Sequence, residues 1–151
     1  MAGDEPAGEA GLEDLAGRVF AMARTGDTAT LDAYVEAGVP ADLANDSGDT
    51  LVMLAAYHGH ATTVRALLAR GAEPDRANDK GQTPLAGAVF KGEADVVAAL
   101  VDGGADPTAG QPTPVATARM FGREDLLALL GVDSAGEGGA EGPPGPPDGA
   151  G

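Results

Sequence analysis

The sequence predicts an all-α solenoid of about four helix-turn-helix repeats, with short projecting loops or hairpins and atypical terminal repeats as caps. The main observation is a 33-residue period carried by two columns of glycine, and by recurring Asn-Asp and Thr positions. Between the glycines lie short apolar runs at helical spacing. Because self-similarity at a fixed period is typical of repeat architectures, the chain is predicted to be a tandem array. The columns are Gly26, Gly59 and Gly92, and Gly38, Gly71 and Gly104.

The unit over residues 78–110 shows how each repeat is built. Thr83 is placed to cap a first helix, and Pro84 fits its first turn, where a missing N–H is harmless. Gly92 permits the left-handed conformation that ends this helix. A second helix follows, with its apolar residues at helical spacing, and the next segment has turn composition. The predicted buried stripe of the first helix is Leu85, Ala88 and Val89, and the residues at helical spacing in the second are Val96, Val97, Leu100 and Val101.

These units resemble ankyrin repeats, whose pattern has G-x-TPLHxAA, a central Gly-His, a VVxxLL run and a closing Gly-Ala. The unit 78–110 matches through Gly81, Thr83-Pro84-Leu85, Val96-Val97 and Gly104-Ala105, and the unit 45–77 through Thr50, Ala55-Ala56, Gly59-His60 and Gly71-Ala72. The resemblance implies a repeat domain over residues 12–131, with repeats at about 12–44, 45–77, 78–110 and 111–131. The outer two repeats fit the pattern less well, as expected for caps.

Some positions depart from the family pattern. Where the family places the His of TPLH, the chain has Phe20, Met53, Ala86 and Ala116, so apolar packing is expected to replace that histidine. Arg119 occupies a position where a second small Ala is usual. A long charged side chain there fits only a terminal repeat that is open to water.

Composition excludes several classes of function. The chain has 24 acidic and 9 basic residues, a net charge of -15, which is the wrong sign for neutralising nucleic-acid phosphates. It has no cysteine, which excludes disulfides and thiolate metal sites. No apolar run is long enough for a membrane span, and the acidic start is unlike a secretory signal. We therefore expect a cytoplasmic monomer that binds neither nucleic acid nor membrane directly.

Both ends are expected to be disordered tails. Residues 1–11 are small, polar and acidic, and residues 132–151 are rich in Gly and Pro, so neither can bury enough apolar surface to fold. The segment PPGPP is open to two interpretations, a docking motif or part of a plain solubilising tail.

A solenoid has no catalytic cleft but offers a long concave surface, and the resemblance implies protein binding without catalysis. In the family, residues before each central Gly face this groove. Here the first such column is Arg24, Tyr57, Phe90 and Met120, and the flanking positions are His58, Lys91 and Phe121. Large apolar side chains at exposed positions are typical of interface anchors. The alternative is that they pack between adjacent repeats, and the two roles are compatible.

Loop-tip residues are expected to rim the groove: Asp46, Ser47, Asp49, Asp79, Lys80 and Gln82. The alternative is that these polar turn residues are merely solvated. With Asp75 and Asp106 they give the loop side an acidic bias, which favours a partner with a basic patch. A competing hypothesis is an acidic decoy that imitates a polyanion and inhibits a cationic or nucleic-acid-binding protein.

Enzymatic function has little support in the sequence. His58 and His60 could begin a zinc site, which would make the protein a metal-dependent enzyme, but no third ligand is evident. The family-typical Gly-His explains His60 as structural. No nucleophile has an assignable base, and no phosphate-binding loop occurs. We expect no cofactor, no metal and no catalytic residue.

Overall fold

The computed structural model describes residues 9–132, with side chains from residue 14 onward. This part of the chain forms eight helices and an isolated antiparallel bridge between Ala44 and Thr50, which confirms the predicted all-α repeat solenoid. None of these helices is long and apolar enough to cross a membrane. The helices are α1 (Glu9–Thr25), α2 (Thr28–Glu36), α3 (Leu51–Tyr57), α4 (Ala61–Ala69), α5 (Pro84–Lys91), α6 (Ala94–Asp102), α7 (Pro114–Met120) and α8 (Glu124–Leu129).

The helices form two layers with one continuous core between them. The first helices of the repeats, α1, α3, α5 and α7, pack side by side, and the second helices, α2, α4, α6 and α8, form the other layer. Leu31, Leu67, Leu85, Leu100 and Leu126 are fully buried between the layers, surrounded by Val and Ala. The small side chains let the helices pack closely, so each repeat buries its apolar faces against its neighbours.

Threonine caps begin the first helices of the last three repeats. Thr50 Oγ1 accepts a hydrogen bond from Met53 N at 3.1 Å, Thr83 Oγ1 from Ala86 N at 3.2 Å, and Thr113 Oγ1 from Ala116 N at 3.0 Å. Each bond satisfies a backbone N–H that the helix itself leaves free.

The predicted end of α5 is also observed. Gly92 has φ 73°, the left-handed conformation that side chains disfavour, and α6 begins two residues later. The buried stripe of Leu85, Ala88 and Val89 is as predicted.

Asparagines shape the hairpins between repeats. Asn45 Oδ1 accepts hydrogen bonds from Ser47 N and Asp49 N, both at 3.0 Å, and Asn78 Oδ1 accepts from Lys80 N and Gln82 N, also at 3.0 Å. Adjacent hairpins are joined by backbone hydrogen bonds from Asp79 N to Ser47 O at 3.0 Å and from Gln111 N to Gly81 O at 2.9 Å. The hairpins therefore form a continuous row along one edge of the solenoid.

The ends of the described region differ slightly from the predicted domain limits. α1 begins at Glu9, so the helix includes residues 9–11, which the sequence analysis assigned to the N-terminal tail. Val132 packs against the core, and its N–H donates to Leu127 O at 2.9 Å, one residue beyond the predicted end. The remaining parts of the two predicted tails, 1–8 and 133–151, lie outside the described residues.

The departures from the family pattern fit their places in the stack, with one exception. Met53 and Ala86 are buried, and Phe20 is partly buried against the core, so apolar packing does replace the histidine there. Ala116 is exposed, so the same expectation was wrong for the last repeat. Within residues 9–132 no further repeat covers that unit, which is also why Arg119 can be exposed there.

Candidate groove for partner binding

A groove of about 800 Å³ runs along the first helices α3, α5 and α7 and is bounded on one side by the hairpins. It brings together most of the residues predicted from the sequence. These are Asp46, Ser47, Asp49, Tyr57, Asp79, Lys80, Gln82, Phe90, Met120 and Phe121. The groove is also lined by seven residues that were not predicted from the sequence as site residues: Met53, Leu54, Asn78, Ala86, Gly87, Pro112 and Thr117.

Four large apolar side chains, which we call the apolar strip, lie at the ends of successive first helices. The exposed fractions are 39% for Tyr57, 57% for Phe90, 71% for Met120 and 49% for Phe121. The strip also makes contacts between repeats, since the Phe90 and Phe121 ring centroids are 5.7 Å apart at an interplanar angle of 63°. The rings of Phe90 and Phe121 therefore pack on each other between repeats and still present apolar surface.

Arg24, His58 and Lys91 lie beyond the groove lining, at the carboxyl ends of the first helices. Lys91 Nζ is 4.6 Å from the centroid of the Tyr57 ring, a cation–π contact between adjacent repeats. The His58 ring meets Tyr57 edge-on, with centroids 5.8 Å apart. Desolvation, followed by repulsion from His60, Lys91 and Arg24, lowers the pKa of His58 below its usual 6.5. His58 is therefore mostly neutral at pH 7.

The hairpin tips form the other lip of the groove, which we call the hairpin lip. Asp46, Asp49 and Asp79 place three carboxylates there beside the single ammonium of Lys80. The Asp49 carboxylate accepts a hydrogen bond from Asn78 Nδ2 at 2.8 Å, so it also holds adjacent hairpins together. Among the described residues, no side chain of an adjacent hairpin donates a hydrogen bond to the carboxylates of Asp46 and Asp79, in contrast to Asp49. The lip is therefore acidic as well as structural.

Asp75 and Asp106, which were expected to add to the acidic bias, have structural roles outside the groove lining. Asp75 Oδ1 accepts from Asp106 N at 2.8 Å, and Asp42 Oδ1 accepts from Glu73 N at 2.8 Å one repeat earlier. Asp106 accepts from the backbone N–H and the hydroxyl of Thr108, and these bonds lower the pKa of its carboxyl. The carboxylates of Asp42 and Asp75 therefore join consecutive repeats, whereas that of Asp106 holds its own turn.

His60 forms a contact between repeats. Its Nε2 lies 2.7 Å from Arg24 O, the carbonyl at the end of α1, and its ring lies against Gly26. Within residues 9–132, no three His, Cys, Asp or Glu side chains lie close enough together to hold a metal ion. His60 thus stabilises the stack of the first two repeats.

The floor of the groove was missed in the sequence analysis, although the helical period could have revealed it. Leu54, Gly87 and Thr117 each precede a member of the apolar strip by three residues: Tyr57, Phe90 and Met120. Residues three apart on a helix lie on the same face. Extending the exposed column by one turn would therefore have predicted the floor.

Comparisons with known proteins find ankyrin repeats in this chain. The family model described as ankyrin repeats (3 copies) matches residues 19–111, which is more than half of the chain. A curated protein of Pseudomonas aeruginosa, named “Putative ankyrin repeat protein PA3287”, is 44% identical to this chain over 60 residues. The aligned segment covers 38% of this chain and 35% of that protein, so the chain spans about a third of the length of the curated relative.

Proposed function

The chain belongs to the ankyrin repeat family, whose repeats are generally non-catalytic modules for protein–protein interaction, and from this premise we propose that it is an adaptor or regulator. In this proposal a partner protein binds in the groove, against the apolar strip and the hairpin lip. The protein acts as a monomer in the cytoplasm, without a cofactor. Light scattering of the purified chain tests the oligomeric state.

The observation that carries the proposal is the exposure of the apolar strip. Tyr57, Phe90, Met120 and Phe121 line one groove and remain between 39% and 71% exposed. Removing large apolar side chains from water when a partner binds stabilises the complex, and aromatic residues are enriched among those that contribute most to binding. The fold does not depend on these four side chains for its core, because none of them belongs to the cluster of buried apolar residues.

A second candidate function rests on charge. The net charge is -15, and three of the carboxylates line the hairpin lip. An acidic decoy would attract a cationic or nucleic-acid-binding protein through these charges, and salt would screen the attraction. The groove proposal differs because burial of apolar surface persists at high salt.

Affinity capture from a lysate of the source organism separates the two functions. Wild-type protein, Tyr57→Ala/Phe90→Ala and a control, Leu129→Ala, are each used at low and high salt, with bound proteins identified by mass spectrometry. Leu129 is an exposed apolar residue of α8 outside the groove lining, so it matches the kind of side chain removed. The proposal predicts a partner that survives high salt and is lost only with the double variant. Partners that wash away with salt and bind all three proteins equally would favour the decoy.

A further inference from the structure

Gly87 is an unusual residue for the floor of the groove. It lies inside α5, where a glycine disfavours the helix relative to alanine. The same position holds Leu54 in the preceding repeat and Thr117 in the following one, and all three line the groove. Gly87 is itself buried, and because it has no side chain the groove floor is deeper at the middle repeat, next to Tyr57 and Phe90 of the apolar strip.

Packing within the protein does not require this glycine. A Cβ at Gly87 would lie 3.6 Å from Met53 Sδ and Cε and 3.6 Å from Tyr57 Cδ1, which is ordinary van der Waals contact. Alanine would therefore fit without displacing a neighbour. Backbone conformation does not require glycine either, since Gly87 is within a regular helix and is not among the glycines with positive φ.

The surroundings of Gly87 define the chemistry of a ligand. Beside it lie Met53, an adaptable apolar side chain, and the ring of Tyr57, and Phe90 lies one turn further along α5. Across the groove, the hairpin lip presents Asp46, Asp49 and Asp79 against one ammonium, that of Lys80. A ligand that fits both features carries an apolar side chain for the recess and positive charges towards the hairpins.

We propose that the groove binds a partner segment that inserts an aliphatic side chain over Gly87, between Tyr57 and Phe90, and directs Lys or Arg side chains to the hairpin lip. This inference rests on the proposed function, since it specifies the partner for the same groove. The chain's own residues 133–151 do not have this chemistry, because they carry four acids and no Lys or Arg.

The experiment uses a library of random 16-residue peptides displayed on phage and selected on the full-length chain. The expected peptides share at least one aliphatic residue flanked by Lys or Arg. The best peptide, made synthetically, is then measured by fluorescence anisotropy against variants of the groove floor. Gly87→Ala should weaken binding by about 5-fold or more, as expected when an added methyl group overfills a fitted site, and Gly87→Leu should weaken it further.

The matched control is Gly17→Ala. Gly17 is also inside a helix, α1, and a Cβ there would meet nothing within 4 Å. Both alanine variants should raise the melting temperature, since each removes a helix-interior glycine. Only Gly87→Ala should lose affinity, which separates occupation of the recess from any effect on folding.

The charges are tested with a second pair of variants. Asp46→Asn/Asp79→Asn should lower the affinity for the peptide at low salt. Asp95→Asn should leave it unchanged, because Asp95 is an exposed acid of α6 outside the groove lining. Selected peptides that are acidic or uncharged would overturn the assignment of a basic partner.

The outcomes distinguish the inference from the proposed function. If peptides bind the wild-type chain and lose affinity for Tyr57→Ala/Phe90→Ala but not for Gly87→Ala or Gly87→Leu, binding in the groove is supported and insertion over Gly87 is refuted. If no peptide is enriched, or if the selected peptides ignore the double variant, both fail. A dimer of the wild-type chain that dissociates with Phe90→Ala would show that a second copy occupies the groove and would overturn the inference.

Discussion

Truncating Leu100 tests the claim that one continuous core holds the repeats together. Leu100 has no exposed surface, and it lies in α6, which packs against α4, α5 and α8. Leu100→Ala leaves a cavity among these helices and should reduce the free energy of unfolding by about 2–5 kcal/mol. A domain of this size is stable by roughly 5–15 kcal/mol, so the loss is a large share of the total.

Urea denaturation followed by far-ultraviolet circular dichroism measures this loss, since the chain has no Trp for fluorescence. With a urea dependence of about 2 kcal/mol per M, the middle of the usual range of about 1–3, the midpoint should fall by roughly 1–2.5 M. Leu129→Ala is the control, because Leu129 is 37% exposed. Its truncation should cost well under about 1 kcal/mol, as surface changes usually do. Equal midpoints for the two variants would refute the argument that burial in a shared core sets the stability.

Three further predictions concern the caps, the repeat contacts and pH. Thr83→Ala should lower the free energy of unfolding by about 1–2 kcal/mol because Ala86 N loses its hydrogen-bond acceptor, whereas Thr83→Ser should keep most of the wild-type stability. Urea midpoints measure both variants, and equal losses of stability would contradict the capping role. His60→Ala should cost about 0.5–1.5 kcal/mol through the lost contact with Arg24 O, and native-state hydrogen exchange should show the loss first in α1; uniform loosening would contradict this. Because the pKa of His58 is lowered in the folded state, the unfolded chain binds more protons, so stability should fall as pH drops below about 6.5. Melting temperatures between pH 7.5 and 5 should fall less for His58→Gln than for wild type, and parallel curves would show that His58 is not responsible.

Local signals explain why most of the fold could be predicted from the sequence. Thr83, Pro84 and Gly92 determine where α5 begins and ends through hydrogen bonds and backbone conformation within the helix itself. Because the sequence repeats every 33 residues, the same helix pair is predicted in the neighbouring repeats. The start of α1 at Glu9 was missed because its acidic, Gly-containing first turn has the composition of a tail.

The site was predicted less completely because part of it depends on contacts between repeats. The column of Tyr57, Phe90 and Met120 could be found from register. The edge-on contact of Phe90 with Phe121 and the contact of His60 with Arg24 O depend on side-chain conformations that no spacing specifies. Gly87 cannot be distinguished by its own position from any other helix-interior residue, since its place in the groove floor is defined by Met53 and Tyr57 of the preceding repeat.

Site-specific photo-cross-linking tests the central claim most directly. A benzophenone-bearing phenylalanine analogue is placed at Phe90 in one protein and at Leu129 in another, and each is irradiated in cells of the source organism in which it is expressed. The account predicts a discrete cross-linked protein at position 90, lost when Tyr57→Ala is added, and none at position 129. Cross-links of equal yield at both positions, or at position 129 alone, would contradict binding in the groove.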